Sequence, residues 1–284
     1  MFKKVIFVLC PSFHGATLLA RLLGAHPAIT ALGDTYPKQH LPENCGCGKQ
    51  VRDCPFWQRV DREVTTRVEP DAFYRGWVQP PGGSDTVGRL SYLLQSPQSL
   101  RRRIAAADQR RFVSQYREFL RGVESGQQDE SRVFVDGVKN IARVKAFLAF
   151  APELVGGIIH LAGDAGDFAK SRSKKQPGKI QFVQSIASWR AYHLLAARLE
   201  REAPYIRVSY DDLANETQTV LDGIFEFVGE RGALVDELAA NKSNLHFVGN
   251  AKLRDFSGEI RPSRHRLSTA ESLVARTGTA FSSF

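Results

Sequence analysis

Ser12, Phe13, His14, Gly15, Ala16 and Thr17 lie between the apolar run VIFVLC and the stretch LLARLL. β-branched residues, a short turn of small and polar residues and then a helical apolar repeat predict a strand, a turn and a helix. Leu18, Leu19, Leu22 and Leu23 supply the apolar side of that helix. The first backbone N–H groups of a helix lack intrahelical partners and carry partial positive charge. They point into the turn, so the chemistry on offer is capture of an anion such as phosphate or sulfate. The same pattern also makes an ordinary βα turn with no ligand. The signature G-x-x-x-x-G-K-S/T is absent, because no Lys follows Gly15.

A second group of reactive side chains is Cys45, Cys47 and Cys54 in ENCGCGKQVRDCPFW, with His40 upstream. Three thiols and an imidazole are donors that zinc accepts. However, C-x-C followed by six residues before the next Cys does not match the C-x-x-C spacing of zinc fingers. The segment is read as a reduced, turn-forming Gly/Cys loop or one disulfide, and no metal is expected. Cys10 ends the first strand as a small buried hydrophobe.

The elements that must carry these groups alternate. Strands are predicted at 3–10, 133–137 (VFVDG), 156–163 (GGIIHLAG) and 205–210 (YIRVSY), with a second strand or loop over 29–34 (ITALGD) at the sheet's carboxyl edge. Helices are predicted at 17–25, around 57–68, over 99–123, through Val144 to Phe150, over 185–204 and over 211–229. The last of these starts on Asp211 or Asp212 as a cap and ends at Gly229. Alternation of this kind means a parallel sheet covered on both faces, an α/β fold. In the 99–123 helix, Ile104, Phe112, Tyr116, Phe119 and Leu120 form the apolar face, and Arg101, Arg102, Arg103, Arg110 and Arg111 are solvated. Residues 35 to about 125 read as a cap rich in Pro and loops, and about 240–284 as a weakly patterned closing segment. Phe56, Trp57, Phe73, Tyr74, Trp77 and Tyr92 are either the walls of an acceptor pocket or the cap's own core.

The chain has 284 residues, 43% of them hydrophobic, and a net charge of +9. That suffices for one large core with a helical insertion. The basic surface favours anionic partners but selects none of them. No apolar run approaches the roughly 20 residues of a membrane span. Lys3 and Lys4 before VIFVLC imitate a secretion signal, but six apolar residues meeting Pro11 and His14, with no cleavage site, favour the cytoplasm.

Six segments, in order, resemble bacterial sulfotransferases that use 3′-phosphoadenosine-5′-phosphosulfate. SFHGATLLARLLGAHPAITALGD resembles the phosphosulfate loop and its helix, with Gly15, Thr17, Leu18, Leu19, His26, Pro27, Leu32 and Gly33 matching and Asp34 at the acidic position. CGCG…DCPFW resembles a cysteine-containing segment of many members. In VFVDGVKN, Asp136 and Lys139 match a D-x-S-K pattern. IIHLAGDAGDFAKSR resembles the strand-loop-helix for the 3′-phosphate, and YIRVSYDDLANETQTVLDGIFEFVG the V-x-Y-E-D-L segment. LHFVGNAKLRD resembles a late H-x-x-x-G-N-x-x-R segment with Gly249, Asn250 and Arg254. The departures are specific. Phe13 replaces a basic residue, His14 a serine and Val138 the D-x-S-K serine, and Gly163, Asp164, Ala165 and Gly166 replace R-D-P-R.

The resemblance implies a P-loop-like sulfotransferase fold and transfer of a sulfuryl group to a hydroxyl or amine of a small molecule, without nucleic acid or membrane partners. A homo-oligomer is compatible with it. Like phosphoryl transfer, this reaction asks for positioning, positive potential and a base. Backbone N–H groups of Gly15, Ala16 and Thr17 then cradle the 5′-phosphosulfate, with Ser12, Phe13 and His14 around it. Ser171 and Arg254 meet the 3′-phosphate, and Arg172 stands in for a lost arginine. His14, when protonated, is a candidate for the missing charge, its ordinary pKa being about 6.5, and Lys139 is a second. For the base the candidates are Asp34, His14 and, more weakly, His40, while Asp34 is equally a turn residue. Trp189 is read as core rather than an adenine stack, and His26 as a cap of the first helix. A sulfotransferase-like chain that no longer uses the nucleotide is the alternative.

Overall fold

Val5, Phe7 and Leu9 alternate with Ile6, Val8 and Cys10 along the first strand, and all six are buried, so both faces of that strand need cover. The computed structural model supplies it. It describes residues 2–12, 14–33, 44–68, 94–97, 99, 106–127, 131–175, 179–241, 245–248, 253, 255–262 and 265–279. The strands are β1 (Lys4–Leu9), β2 (Ile29–Ala31), β3 (Val133–Asp136), β4 (Val155–Ala162) and β5 (Tyr205–Ser209). They form one parallel sheet in the order β2-β3-β1-β4-β5.

One face is covered by α2 (Pro55–Thr65), α3 (Ala106–Gly126) and α4 (Ile141–Phe150). Phe112, Tyr116, Phe119 and Leu120 of α3 are buried in this layer with Phe56 and Trp57 of α2. The two α2 aromatics therefore belong to a core shared with the sheet. Arg110 and Arg111 are exposed, while Phe73, Tyr74, Trp77, Tyr92, Ile104 and Arg101–Arg103 lie outside the described residues.

The other face carries α1 (Ala16–Leu23), α7 (Tyr210–Asn215), α8 (Thr217–Val228) and α9 (Val235–Ala240). The predicted one-sided apolar face of α1 is too modest. Leu18 through Leu23 are all buried, Arg21 included. The Arg21 guanidinium donates to the carbonyls of Leu238, Ala239 and Asn241, and so satisfies the orphan C-terminal groups of α9. A third layer joins α5 (Ala165–Lys175), α6 (Lys179–Ala197) and α10 (Thr269–Thr279) around Phe168, Phe182, Ile186 and Trp189.

Three sequence expectations need correction. The helix over 211–229 is two helices, α7 and α8, parted at Glu216. Its cap is Ser209, whose Oγ accepts from the Asp212 N–H, rather than Asp211 or Asp212. Gly229 does end α8, at φ 68°. The weakly patterned C-terminal region contains α10, whose amphipathic signal is short. No helix among the described residues is long and apolar enough to cross a membrane.

Candidate functional site

The connections leaving β1 and β4 diverge. β1 leads through α1 to β2 on one side of the sheet, and β4 leads through α5 and α6 to β5 on the other. Neighbouring strands whose crossovers part in this way open a crevice at their carboxyl ends, where α/β sheets bind ligands. The turn after β1 and the residues Gly163 and Asp164 after β4 face that crevice.

Gly15 is the N-cap of α1 in the left-handed region, at φ 80°. Among the described residues no side chain caps the helix, and no acidic residue stands in its first turn. The Leu19 N–H donates to the Gly15 carbonyl at 2.9 Å, which begins the helical ladder and leaves the earlier amides aimed outward. Ser12 is exposed, Thr17 is half-buried and Ala16 is buried. The Tyr210 ring lies against Gly15, so closely that a Cβ there would sit 2.4 Å from its Cε2.

His14 corrects the sequence expectation. Its ring is buried, with Nδ1–H donating to the Ser12 carbonyl at 3.1 Å and Nε2 accepting from the Trp189 indole at 2.9 Å. Both nitrogens are committed, which sets the neutral tautomer. Burial lowers its pKa, against weaker raising contributions led by the Ser12 hydrogen bond. His14 is thus neither the missing cation nor a base open to an acceptor. The ring also lies over Gly163, where an added Cβ would be 2.7 Å from His14 Cδ2. His14 and Gly163 therefore pack as one unit. Trp189 is core, as expected, and it is also the donor that locks His14.

Ser171 and Arg172 lie on α5. Ser171 Oγ is 3.0 Å from His265 Nε2, and Arg172 donates to Ser188 Oγ at 2.9 Å. Lys174 reaches His265 Nδ1 at 3.4 Å. This polar cluster could receive a phosphate, with Asp164 capping the start of α5 through the Asp167 N–H at 2.8 Å. A cavity of about 460 Å³ opens beside the crevice, lined by Gly163, Trp189, Arg207, Asp164, Asp211 and Asp212 among others. Its wall carries three carboxylates and one guanidinium.

Lys139 stands just past the carboxyl end of β3 with φ 64°, a left-handed conformation for a non-glycine residue. Its carbonyl accepts from Tyr192 at 2.9 Å. Asp136 is structural. It pairs with the buried Arg143 at 2.7 Å and accepts from Tyr116 at 2.6 Å and from the Val138 N–H at 2.9 Å. His26 does not cap α1. Its Nδ1 accepts from the Ala28 N–H and its Nε2 meets the Arg231 carbonyl, bracing the turn after the helix. Phe13, Asp34, His40, Gly249, Asn250 and Arg254 lie outside the described residues. Next to two of them, Gly33 forms a parallel bridge with Val248, whose N–H donates to the Leu32 carbonyl at 3.0 Å.

The sequence reading missed Tyr210 and His265, which nothing local marks as partners of Gly15 and Ser171. It also missed a buried chain in which His160 Nε2 meets His193 Nδ1 at 2.6 Å and His160 Nδ1 meets the Tyr205 hydroxyl at 2.6 Å.

No family model matches the chain, and no curated protein matches it by sequence. Solved structures do. Sulfotransferase STF9 from Mycobacterium avium superposes with a TM-score of 0.50 at 15% identity, covering 98% of this chain and 75% of that one. Sulfotransferase STF1 from Mycobacterium tuberculosis gives 0.49 at 17% identity, over 86% and 71%. The sulfotransferase domain of the Synechococcus olefin synthase gives 0.46 at 15%, over 96% and 93%. The parallel five-stranded sheet with its helices is the sulfotransferase fold.

Proposed function

We propose that this protein is a cytoplasmic sulfotransferase that moves a sulfuryl group from 3′-phosphoadenosine-5′-phosphosulfate to a hydroxyl or amine of a small molecule. The observation that carries this reading is the uncapped start of α1, with left-handed Gly15 at the carboxyl end of β1 beside the β4 connection. The chain offers hydrogen-bond donors for both ends of the nucleotide. Amides of Gly15, Ala16 and Thr17 would hold the phosphosulfate, and Ser171 and Arg172 the 3′-phosphate, with Arg254 assigned to that phosphate and Gly249 and Asn250 to the nucleotide by the sequence resemblance. When bound, the nucleotide supplies an activated sulfuryl group. The protein's own share is orientation and positive potential. With His14 neutral and enclosed, Lys139 is left as the cation at the loop and Asp34 as the base.

A second reading has its own support. The His14 ring over Gly163 leaves no space for the arginine that would meet the 3′-phosphate, and Asp164, Asp211 and Asp212 make the adjoining cavity acidic. A chain so built could keep the fold and bind its acceptor without the nucleotide. Titration calorimetry with adenosine 3′,5′-bisphosphate separates the two. Saturable heat that disappears with salt supports the sulfotransferase. No heat at millimolar ligand overturns it in favour of the second reading.

A further inference from the structure

The three cysteines of the CGCG…DC segment converge on a residue nearly two hundred positions away. Cys45, Cys47, Cys54 and His246 each offer one donor atom, and all four donor atoms lie within 4.8 Å of one another. Cys47 Sγ is 3.6 Å from Cys54 Sγ, Cys54 Sγ is 3.6 Å from His246 Nδ1, and Cys45 Sγ is 3.8 Å from His246 Nδ1. A tetrahedron of three thiolates and one imidazole about zinc, with bonds of about 2.3 Å to sulfur and 2.0 Å to nitrogen, has edges of about 3.5–3.8 Å. The three separations given lie in this range, and the remaining ones do not exceed 4.8 Å. All four cysteines of the chain are free thiols. We propose that Cys45, Cys47, Cys54 and His246 form a structural zinc site.

The backbone is shaped for it. The Cys45 N–H donates to the Lys49 carbonyl and the Gly48 N–H to the Cys45 carbonyl, both at 2.8 Å, closing a tight turn that carries Cys45 and Cys47. Gly48 takes φ 94°, which a side chain would resist. Cys54 is the N-cap of α2, so the start of that helix fixes its place beside the turn. The His246 ring stacks on Phe56 with centroids 4.2 Å apart and planes 4° from parallel, and its carbonyl accepts from the Trp57 indole at 3.1 Å. These contacts orient Nδ1 toward the sulfurs, as outer partners of a metal ligand do. Three soft sulfurs and one imidazole select zinc over the harder divalent cations. Four protein donors leave no open position, which marks a structural rather than a catalytic ion. The thiols ligate as thiolates, and their protons pass to solvent.

The consequence is mechanical. Leu245–Val248 lies against the turn, with the Gly46 N–H donating to the Phe247 carbonyl at 2.9 Å, and Val248 bridges Gly33 at the end of β2. Zinc would clamp this segment to the foot of α2.

Metal analysis of the untagged protein purified without added metal is the test, and its outcome does not depend on whether the protein transfers sulfuryl groups. One zinc per chain is expected, with the thiols of the cluster protected from alkylation until a chelator is added. Cobalt refilling should give a thiolate-to-metal charge-transfer band and tetrahedral visible bands. Cys47→Ser, at the exposed corner, should weaken zinc retention at least about tenfold while the chain still folds. Metal-free protein with three freely alkylated thiols, or with two of them oxidised to a disulfide, would overturn the proposal.

Discussion

His14 shows how a neighbour changes the meaning of a residue. By type and position it is a candidate cation or base. In the fold it donates to the Ser12 carbonyl, accepts from Trp189 and covers Gly163. Placing a basic residue at position 163 therefore requires two changes. Gly163→Arg alone should lower the thermal midpoint, because its Cβ would meet the His14 ring at 2.7 Å. Combined with His14→Ser, it should fold and bind adenosine 3′,5′-bisphosphate about tenfold to a hundredfold more tightly than the parent. That range follows from the roughly 1.5–3 kcal/mol of one charge-assisted hydrogen bond. Equal or weaker binding by a folded double variant would remove the 3′-phosphate from this part of the crevice.

At the scale of the element, α1 depends on its first residue. Gly15 takes a conformation that costs other residues about 1–2 kcal/mol, and the Tyr210 ring leaves no space for a Cβ. Gly15→Ala should destabilise the protein by about 2–4 kcal/mol in urea titrations, combining backbone strain with overpacking. It should also abolish any heat with the bisphosphate. A Gly15→Ala variant as stable as the parent would mean that Tyr210 moves freely from the loop. The strands and most helices of this region were legible because each repeats its apolar residues at its own period. The split of 211–229 was not, because its apolar spacing runs on across the break and only the φ/ψ of Glu216 marks it.

The whole molecule buries a pair of histidines between β4 and α6. Burial, with Arg207 and then His14 nearby, pushes His160 down to about 4, and burial, with His160 and then His14, pushes His193 down to about 2. In the unfolded chain both titrate near 6.5. Below that pH the unfolded state binds more protons, so stability is complete above about pH 7 and is lost as the pH falls, toward 4 for His160 and toward 2 for His193. At pH 5 the loss is about 2 kcal/mol for each histidine. Urea unfolding at about pH 7.5 and about pH 5 measures it, and equal stabilities at the two would contradict a neutral buried pair.

The alternation of apolar runs and helical repeats by itself determined the parallel α/β sheet and the position of the glycine turn between β1 and α1, because burial periodicity and chain-breaking residues are local properties. Partnership was decided only by the tertiary structure. That His246 joins the cysteines, that Tyr210 covers Gly15 and that Trp189 holds His14 neutral depend on segments far apart in the chain meeting across the packed layers. No local pattern of residue types encodes which of them will meet.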